Sequence, residues 1–478
     1  MLHAQLSPEA IQRLQTQKRN STISSVLIAL LTIVLIAVVL ALYLLKPSNI
    51  TPSTFNIIYI PPAKIIDDPT IKKQKVSTKQ KPAKPSRDMA RLIHTTASSP
   101  ISVPVPETIT DSPSVEFGES VNIGIGWEKN KIGNDGFEGI PEVLRSRCSP
   151  EERSKRMKES GGNQSAEKAV MKSLRWLKQT QNEDGSWGDK YPVAMTGFAV
   201  LAYLGHCETP KSPEFGDSVE AGIVYLINIG MKSDKIICTP GVKGYAPVYE
   251  HGIATYALAE ATTFCSQLNH PIPNLKKVTK KAGEIIMDGQ TPQGGWVYGF
   301  GGNGGDNSVG FWQIQALKAC KHTQIWPQSK FKKPARNALA YLEKVQGQNG
   351  AIGYRGDSSR SPGLTGGGVL AFQFWGEGES KAAKNGIEYI RKNSKFEWGK
   401  GHDANLYYHY YNAQAMINAG GDDWDHYNKM FRDDLINAQN DDGSWTQKMR
   451  HGPVNQHMAT CLATFMLEVY YRFLPGTN

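Results

Sequence analysis

The sequence predicts an all-α protein, a single (α/α)6 toroid of six helix pairs preceded by one transmembrane helix and a disordered linker. Three observations carry this reading. One phrase occurs twice, as Gln181-Asn182-Glu183-Asp184-Gly185-Ser186-Trp187 and as Gln439-Asn440-Asp441-Asp442-Gly443-Ser444-Trp445, and an internal repeat constrains the fold before any single residue is read. Between the copies, helical patterns alternate with Gly-rich turns that each hold one aromatic: Trp187, Tyr245, Trp296, Tyr354, Trp398 and Trp445, at separations of 44 to 58 residues. The helices are also of two kinds, one with a charged face and one whose body is nearly free of Lys and Arg.

Taken in order, residues 1–21 form a short N-terminal tail and 22–45 a membrane anchor. The run from Val26 to Leu45 is twenty residues, apolar except for Thr32, which is long enough to span a bilayer. It exceeds a signal-peptide core, and no small-residue cleavage pattern follows closely. Arg13, Lys18 and Arg19 precede it while Lys46 and Lys64 follow, so the positive-inside rule favours a cytoplasmic N-terminus and an exported ring. Residues 46–140 are rich in Pro, Ser, Thr and Lys without sustained periodicity, the composition of a disordered tether that spans on the order of 50–60 Å. A lead-in segment, 141–165, precedes the toroid at 166–475.

Outer helices are expected at 166–181, 218–231, 275–290, 332–346, 381–393 and 424–439. In the first, Ala169, Leu174, Trp176 and Leu177 share one face while Lys172, Arg175 and Lys178 take the other. Inner helices are expected at 194–204, 250–265, 308–321, 364–374, 405–419 and 455–471. Runs such as Phe198-Ala-Val-Leu-Ala-Tyr-Leu204 leave them buried on most sides. An open solenoid needs terminal repeats with a polar outer face, and neither end unit has one. Closing six pairs into a double ring hides the inner set instead. The turn Gly suits a helix C-cap, with the Trp packing over the helix end and the Gln bonding to its free carbonyls.

The Gln-x-x-Asp-Gly-Ser-Trp phrase resembles the QW repeat of squalene-hopene cyclases and protein prenyltransferase β subunits. It is especially similar to the squalene-cyclase-like, prenyltransferase-like repeat proteins of planctomycetes and verrucomicrobia. Leu174-Arg-Trp-Leu-Lys178, Ala194-Met-Thr-Gly197, Tyr407-Tyr-His-Tyr-Tyr411 and Leu467-Glu-Val-Tyr-Tyr-Arg-Phe-Leu-Pro475 support the resemblance, which covers about two-thirds of the chain. It implies the terpenoid cyclase/prenyltransferase α/α fold and leaves the activity open, because a fold does not carry a function with it. The expected location is then a bacterial inner membrane, single-pass, with the toroid in the periplasm.

Net charge is +10, and its distribution matters more than its size. Nine basic residues between Lys64 and Arg91 face three Asp, so much of the excess lies in the linker, where a solvated tether or contact with anionic lipid accounts for it. Nothing points to nucleic acid. The six cysteines, Cys148, Cys207, Cys238, Cys265, Cys320 and Cys461, show no CxxC or metal spacing. Cys207, Cys265 and Cys320 sit at equivalent inner-helix ends, which suits packing. An oxidising periplasm permits a bridge without naming its partners.

Function is expected where the starts of the inner helices converge on one rim. That rim offers Glu250, His251, Asp306, Ser308, Thr365, Asp403, Asn405 and His457, several of them competent N-caps. Tyr256, Phe311, Trp312, Phe374, Trp375 and the Tyr407–Tyr411 cluster are candidates to line a cavity. A squalene-hopene-type cyclase needs an acid carried in Asp-x-Asp-Asp, whereas Asp422-Asp423-Trp424-Asp425 has another order and only one α/α domain is present. The prenyltransferase resemblance implies zinc in Asp-x-Cys-x-x-Phe-Trp plus a later His. Asp306-Asn-Ser308-Val-Gly-Phe311-Trp312 and Tyr408-His409 match it with Ser for Cys, and a neutral hydroxyl does not replace a thiolate ligand. Asp306 and His409 remain weak metal candidates. A polysaccharide lyase or glycosidase would pair carboxylates drawn from Glu250, Asp306 and Asp403. No Gly-Cys-Gly-Glu-Gln thioester occurs. The reading preferred over catalysis is a binding or scaffolding module, with an aromatic cavity for a lipid or isoprenoid, or a rim for peptide or glycan.

Overall fold

A computed structural model describes residues 147–355, 362–401, 403–449 and 452–472. The expected tail, anchor and linker at 1–21, 22–45 and 46–140 lie outside them. Among the described residues no helix is long and apolar enough to cross a membrane.

The described chain is helical apart from a two-residue antiparallel pair, Lys448–Met449 with Gly452–Pro453. The first helix, α1 (Pro150–Glu159), falls inside the expected lead-in and was not anticipated. Its termini are nonetheless written locally. The Ser149 side chain accepts from the Glu152 N–H, Pro150 opens the helix, Glu151 and Glu152 fill the first turn, and Arg156 and Lys158 the last, all favourable to the helix dipole. A disulfide joins Cys148 to Cys207, tying the lead-in to the end of α3.

Six pairs follow: α2 (Gln164–Gln179) with α3 (Pro192–Gly205), α4 (Gly216–Lys232) with α5 (Ala246–Gln267), and α6 (Leu275–Asp288) with α7 (Asn307–His322). After a short 3-10 turn come α8 (Lys332–Val345) with α9 (Pro362–Phe374), α10 (Lys381–Asn393) with α11 (Leu406–Ala419), and α12 (Gly421–Asn437) with α13 (Gln456–Glu468). Every expected helix is present, its ends displaced by four residues at most. The first member of each pair is amphipathic: α2 buries Ala169, Val170, Leu174 and Leu177 while Lys172, Arg175 and Lys178 are exposed. The second member is buried nearly throughout, as in α3, where Val193 through Gly205 are all buried.

These second helices pack in succession, α3 on α5, α5 on α7, α7 on α9, α9 on α11 and α11 on α13, and α13 packs on α3. Among the first members, α12 packs on α2.

The turns explain the repeat. Trp187, Trp296 and Trp445 are fully buried, and each indole N–H donates to a carbonyl ten residues back, Leu177, Ile286 and Leu435. This satisfies one of the free carbonyls at a helix end. The glutamines reach further than expected. Gln181, Gln290, Gln346 and Gln439 each donate to a glycine carbonyl of their own turn and to a carbonyl of the next amphipathic helix: Ser218, Pro334, Ala382 and, from the last repeat to the first, Ala169. The glutamine is therefore a bridge between repeats, and not a cap on its own helix.

The six-aromatic register needs correction in three units. Tyr245 and Tyr354 are 58% and 49% exposed, and Trp398 is half-buried. In the fourth unit the buried position belongs to Ile352, whose N–H donates to Thr365 Oγ1 as those of Trp187 and Trp445 donate to Thr196 and Thr460. In the second it belongs to Ile237, which donates to His251 Nδ1. In the fifth it is Phe396, buried against the His409 ring. A branched or aromatic side chain fills the site equally well, so the choice of residue type misled the register.

Candidate functional site

The rings expected to line a cavity pack on one another between the inner helices. Trp312 stacks on Tyr410, with centroids 5.4 Å apart at 11°, and meets Phe198 edge-on at 5.3 Å. Phe465 closes on Tyr410 at 5.4 Å and Phe311 on Tyr411 at 5.5 Å. These side chains come from α3, α7, α11 and α13, and all are buried.

Beyond this aromatic centre lie charges that the sequence reading missed. The Tyr410 hydroxyl donates to Gln315 Oε1 at 2.8 Å. Further on, Arg472 pairs with Glu468 at 3.1 Å and with Glu260 at 3.9 Å, and Arg147 with Glu260 at 3.5 Å. All four are buried. Burial pushes the Glu468 carboxyl up to about 8, so near neutral pH the two guanidiniums share chiefly the Glu260 carboxylate, and removing it leaves them uncompensated. The available signal was Glu260 and Glu468 standing in otherwise apolar helices.

At the N-terminal ends of α5, α7 and α11 the surface changes character. Asp306 caps α7, its Oδ1 accepting from the Ser308 N–H and hydroxyl at 3.1 and 2.5 Å. Its Oδ2 meets the exposed Arg355 at 3.4 Å. Ser308 Oγ also contacts the Tyr249 hydroxyl at 2.5 Å, and the Tyr407 hydroxyl donates to the Ser308 carbonyl at 2.7 Å while accepting from Trp312 Nε1. Around this core stand Tyr245, with its ring 6.3 Å from Tyr249 and 5.9 Å from Tyr298, Arg355 over the Tyr298 ring at 5.5 Å, and Tyr354, whose hydroxyl lies 3.1 Å from that of Tyr408. Burial and the Asp306 carboxylate beside it push the Tyr298 phenol up. Burial does the same for Tyr249 and Tyr354. Asn307 fixes the incoming loop, donating from its backbone to the Tyr354 carbonyl and from its side chain to that of Gly353.

The other candidates are structural in their contacts. Glu250 lies on α5 but caps α3, accepting from the Ala194 N–H at 3.3 Å and from the N–H and hydroxyl of Thr239 at 2.8 and 2.7 Å. Burial pushes its carboxyl up against these donors. His251 accepts from Ile237 at Nδ1 and reaches the Ala282 carbonyl with Nε2. His409 contacts the Tyr427 hydroxyl and the Asp403 carbonyl. Burial lowers both imidazoles to about 4, so they are neutral near pH 7. Asp403 contributes that carbonyl, and Asn405 caps α11. His457 packs on Trp176 at 4.9 Å, its ring nitrogen 3.3 Å from Thr180 Oγ1. Trp375 follows the end of α9 beneath Lys318 and Lys321, outside the aromatic centre.

Zinc does not fit this donor set. Ser308 brings a hydroxyl, Asp306 is held by Ser308 and Arg355, and both His409 nitrogens are engaged. Among the described residues no group of three His, Cys, Asp or Glu could hold a metal ion.

No protein-family model matches the chain, and no curated protein matches it. Among solved structures it is similar to the type II terpene cyclase MstE from Scytonema. The apo form is 12% identical with a TM-score of 0.44, covering 65% of this chain and 98% of that one. A variant in complex with merosterolic acid A gives 11% and 0.44 over the same shares. A second variant, bound to geranylgeranyl dihydroxybenzoate, gives 12% and 0.41 over 64% and 97%. Values this low assign no activity to the present chain.

Proposed function

We propose that the six pairs close into an (α/α)6 toroid of the squalene-cyclase-like repeat type, carried outside the cytoplasm on the 22–45 anchor and 46–140 linker, and that it acts as a binding module whose tyrosine rim takes an extended peptide or glycan. Closure is supported by the packing of α13 on α3 and by the bond from Gln439 to the Ala169 carbonyl. Export is supported by the Cys148–Cys207 bond, since disulfides persist in oxidising compartments, and by the charges flanking residues 26–45.

The rim reading rests on one observation. Tyr245 and Tyr354 are 58% and 49% exposed and continuous with Tyr249, Tyr298 and Tyr408. Aromatic rings left in water beside one another mark a contact surface. The aromatic centre favours a lipid cavity less, because its rings already satisfy one another. Catalysis by Glu250 or Asp306 is disfavoured because their carboxylate oxygens serve a cap and an ion pair.

The test is native mass spectrometry of the full chain purified from its own membrane. A bound adduct is expected, and it should disappear from the Tyr245→Ala/Tyr354→Ala variant while the melting temperature stays within a few degrees. An adduct that persists in the double variant, or no adduct at all, removes the rim from consideration.

A further inference from the structure

Resting on the rim reading, we infer that the ligand is a neutral glycan, whose sugar rings stack on the exposed tyrosine faces while the Asp306–Arg355 pair bonds to its hydroxyls. The Tyr249 and Tyr407 hydroxyls are held by Ser308, the latter also by Trp312, and those of Tyr354 and Tyr408 share one hydrogen bond. Two neighbouring loop amides are engaged too: the Gly301 N–H donates to the Gly289 carbonyl and the Gly304 N–H to Gln293.

A peptide strand needs main-chain donors at an open edge, and a proline-rich segment docks in an aromatic groove through its fixed, extended backbone. With the Tyr249 and Tyr407 hydroxyls and these two amides occupied, fewer donors remain for a row of peptide carbonyls. The rings of Tyr245 and Tyr354 remain exposed. The C–H face of a pyranose is apolar and flat enough to lie on a tyrosine, and its hydroxyls lie at the edge, where a planar guanidinium can donate to two at once. Arg355 is 66% exposed and Asp306 is 2% exposed, so the guanidinium is the group a ligand meets first, backed by the carboxylate that orients it.

Charge points the same way. The Arg355 cation faces the Asp306 anion, so this pair carries no net charge. Space does as well, because a Cβ added at Gly241, Gly244, Gly299, Gly301 or Gly304 would meet nothing within 4 Å. The backbone around the tyrosines is therefore uncrowded, as a stacked ring of six atoms requires.

The experiment titrates the full chain in detergent with cellotetraose, mannotetraose, tetra-N-acetylchitotetraose, polygalacturonate and a deca-proline peptide, reading heat. At least one neutral tetrasaccharide should bind. Tyr354→Ala should weaken it by about ten-fold or more, and Tyr354→Phe by no more than about three-fold, because the ring face and not the hydroxyl makes the contact. Equal losses in the two variants overturn the stacking. Binding of polygalacturonate with no neutral saccharide overturns the neutral assignment, binding of deca-proline alone or a native adduct whose fragments contain no sugar overturns the glycan assignment, and each leaves the rim standing. No binding of any probe together with no native adduct overturns both.

Discussion

At the residue scale the turn glycines do two things at once. Gly185, Gly294, Gly350 and Gly443 all have positive φ, from +86° to +97°. A Cβ on them would lie 2.6, 2.1, 2.2 and 2.5 Å from the backbone oxygens of Ala221, Asn337, Asn385 and Lys172 in the next amphipathic helix. They are conserved in role across four repeats because the turn must touch the neighbouring repeat. Gly294→Ala meets both left-handed strain and overpacking, so about 2–5 kcal/mol should be lost. Gly304, at +79° with nothing within 4 Å, is the contrast: Gly304→Ala bears strain alone, about 1–2 kcal/mol. Urea midpoints of the two variants measure the difference, and equal shifts would show that close approach between repeats contributes nothing.

At the element scale, four of the buried helices carry a latch in their first turns. Thr196, Thr365 and Thr460 accept from the turn backbone through a hydroxyl, and His251 does so through Nδ1. His409 occupies the corresponding place in α11, against Phe396. A protonated imidazole has no acceptor, so the folded state holds these histidines neutral and their folded pKa, about 4, lies below the ordinary 6.5. The unfolded chain then binds more protons than the native one between those values, and stability is full above pH 6.5 and lost as pH falls toward 4. Each histidine contributes a slope of up to about 1.4 kcal/mol per pH unit. His251→Thr, which installs the hydroxyl that Thr196 uses, should flatten the slope of denaturation midpoint against pH in that window. An unchanged slope would rule the latch out as the titrating group.

At the scale of the whole molecule, contacts between distant segments hold the first and last repeats. Gln439 donates to Ala169, Trp424 to Ser160 and Asn428 to Gly161, across 264 to 270 residues. The lead-in joins through Cys148–Cys207, which closes 59 residues of chain, and through Arg147 against Glu260. Constraining a loop of that length is worth about 4 kcal/mol in the chain-entropy account. Cys148→Ser should therefore lower unfolding free energy by about 2–4 kcal/mol, and dithiothreitol should produce the same fall in the unaltered chain with no further effect on the variant. A reductant that shifts both equally would mean that the bond does not act on stability.

Much of the architecture was legible because its signals are local. Helical phase is written every three or four residues, so the six pairs and the wet face of α2, with Lys172, Arg175 and Lys178 outward, follow from periodicity. The turn is equally local, since Trp187, Trp296 and Trp445 each bond to a carbonyl ten residues back. The sequence by itself thus determined the helices, their pairing and their two kinds. Tertiary structure alone decided that Ile237 and Ile352 take the buried positions while Tyr245 and Tyr354 face water, because insertions shift register without disturbing helical period. It also decided the partner of Cys148, the burial of Glu260 with Arg472, and the gathering of Tyr249, Ser308, Tyr354, Tyr407 and Tyr408, which approach across separations of 54 to 99 residues. Proximity over such distances depends on how neighbouring helices pack in three dimensions, and no one-dimensional pattern encodes it.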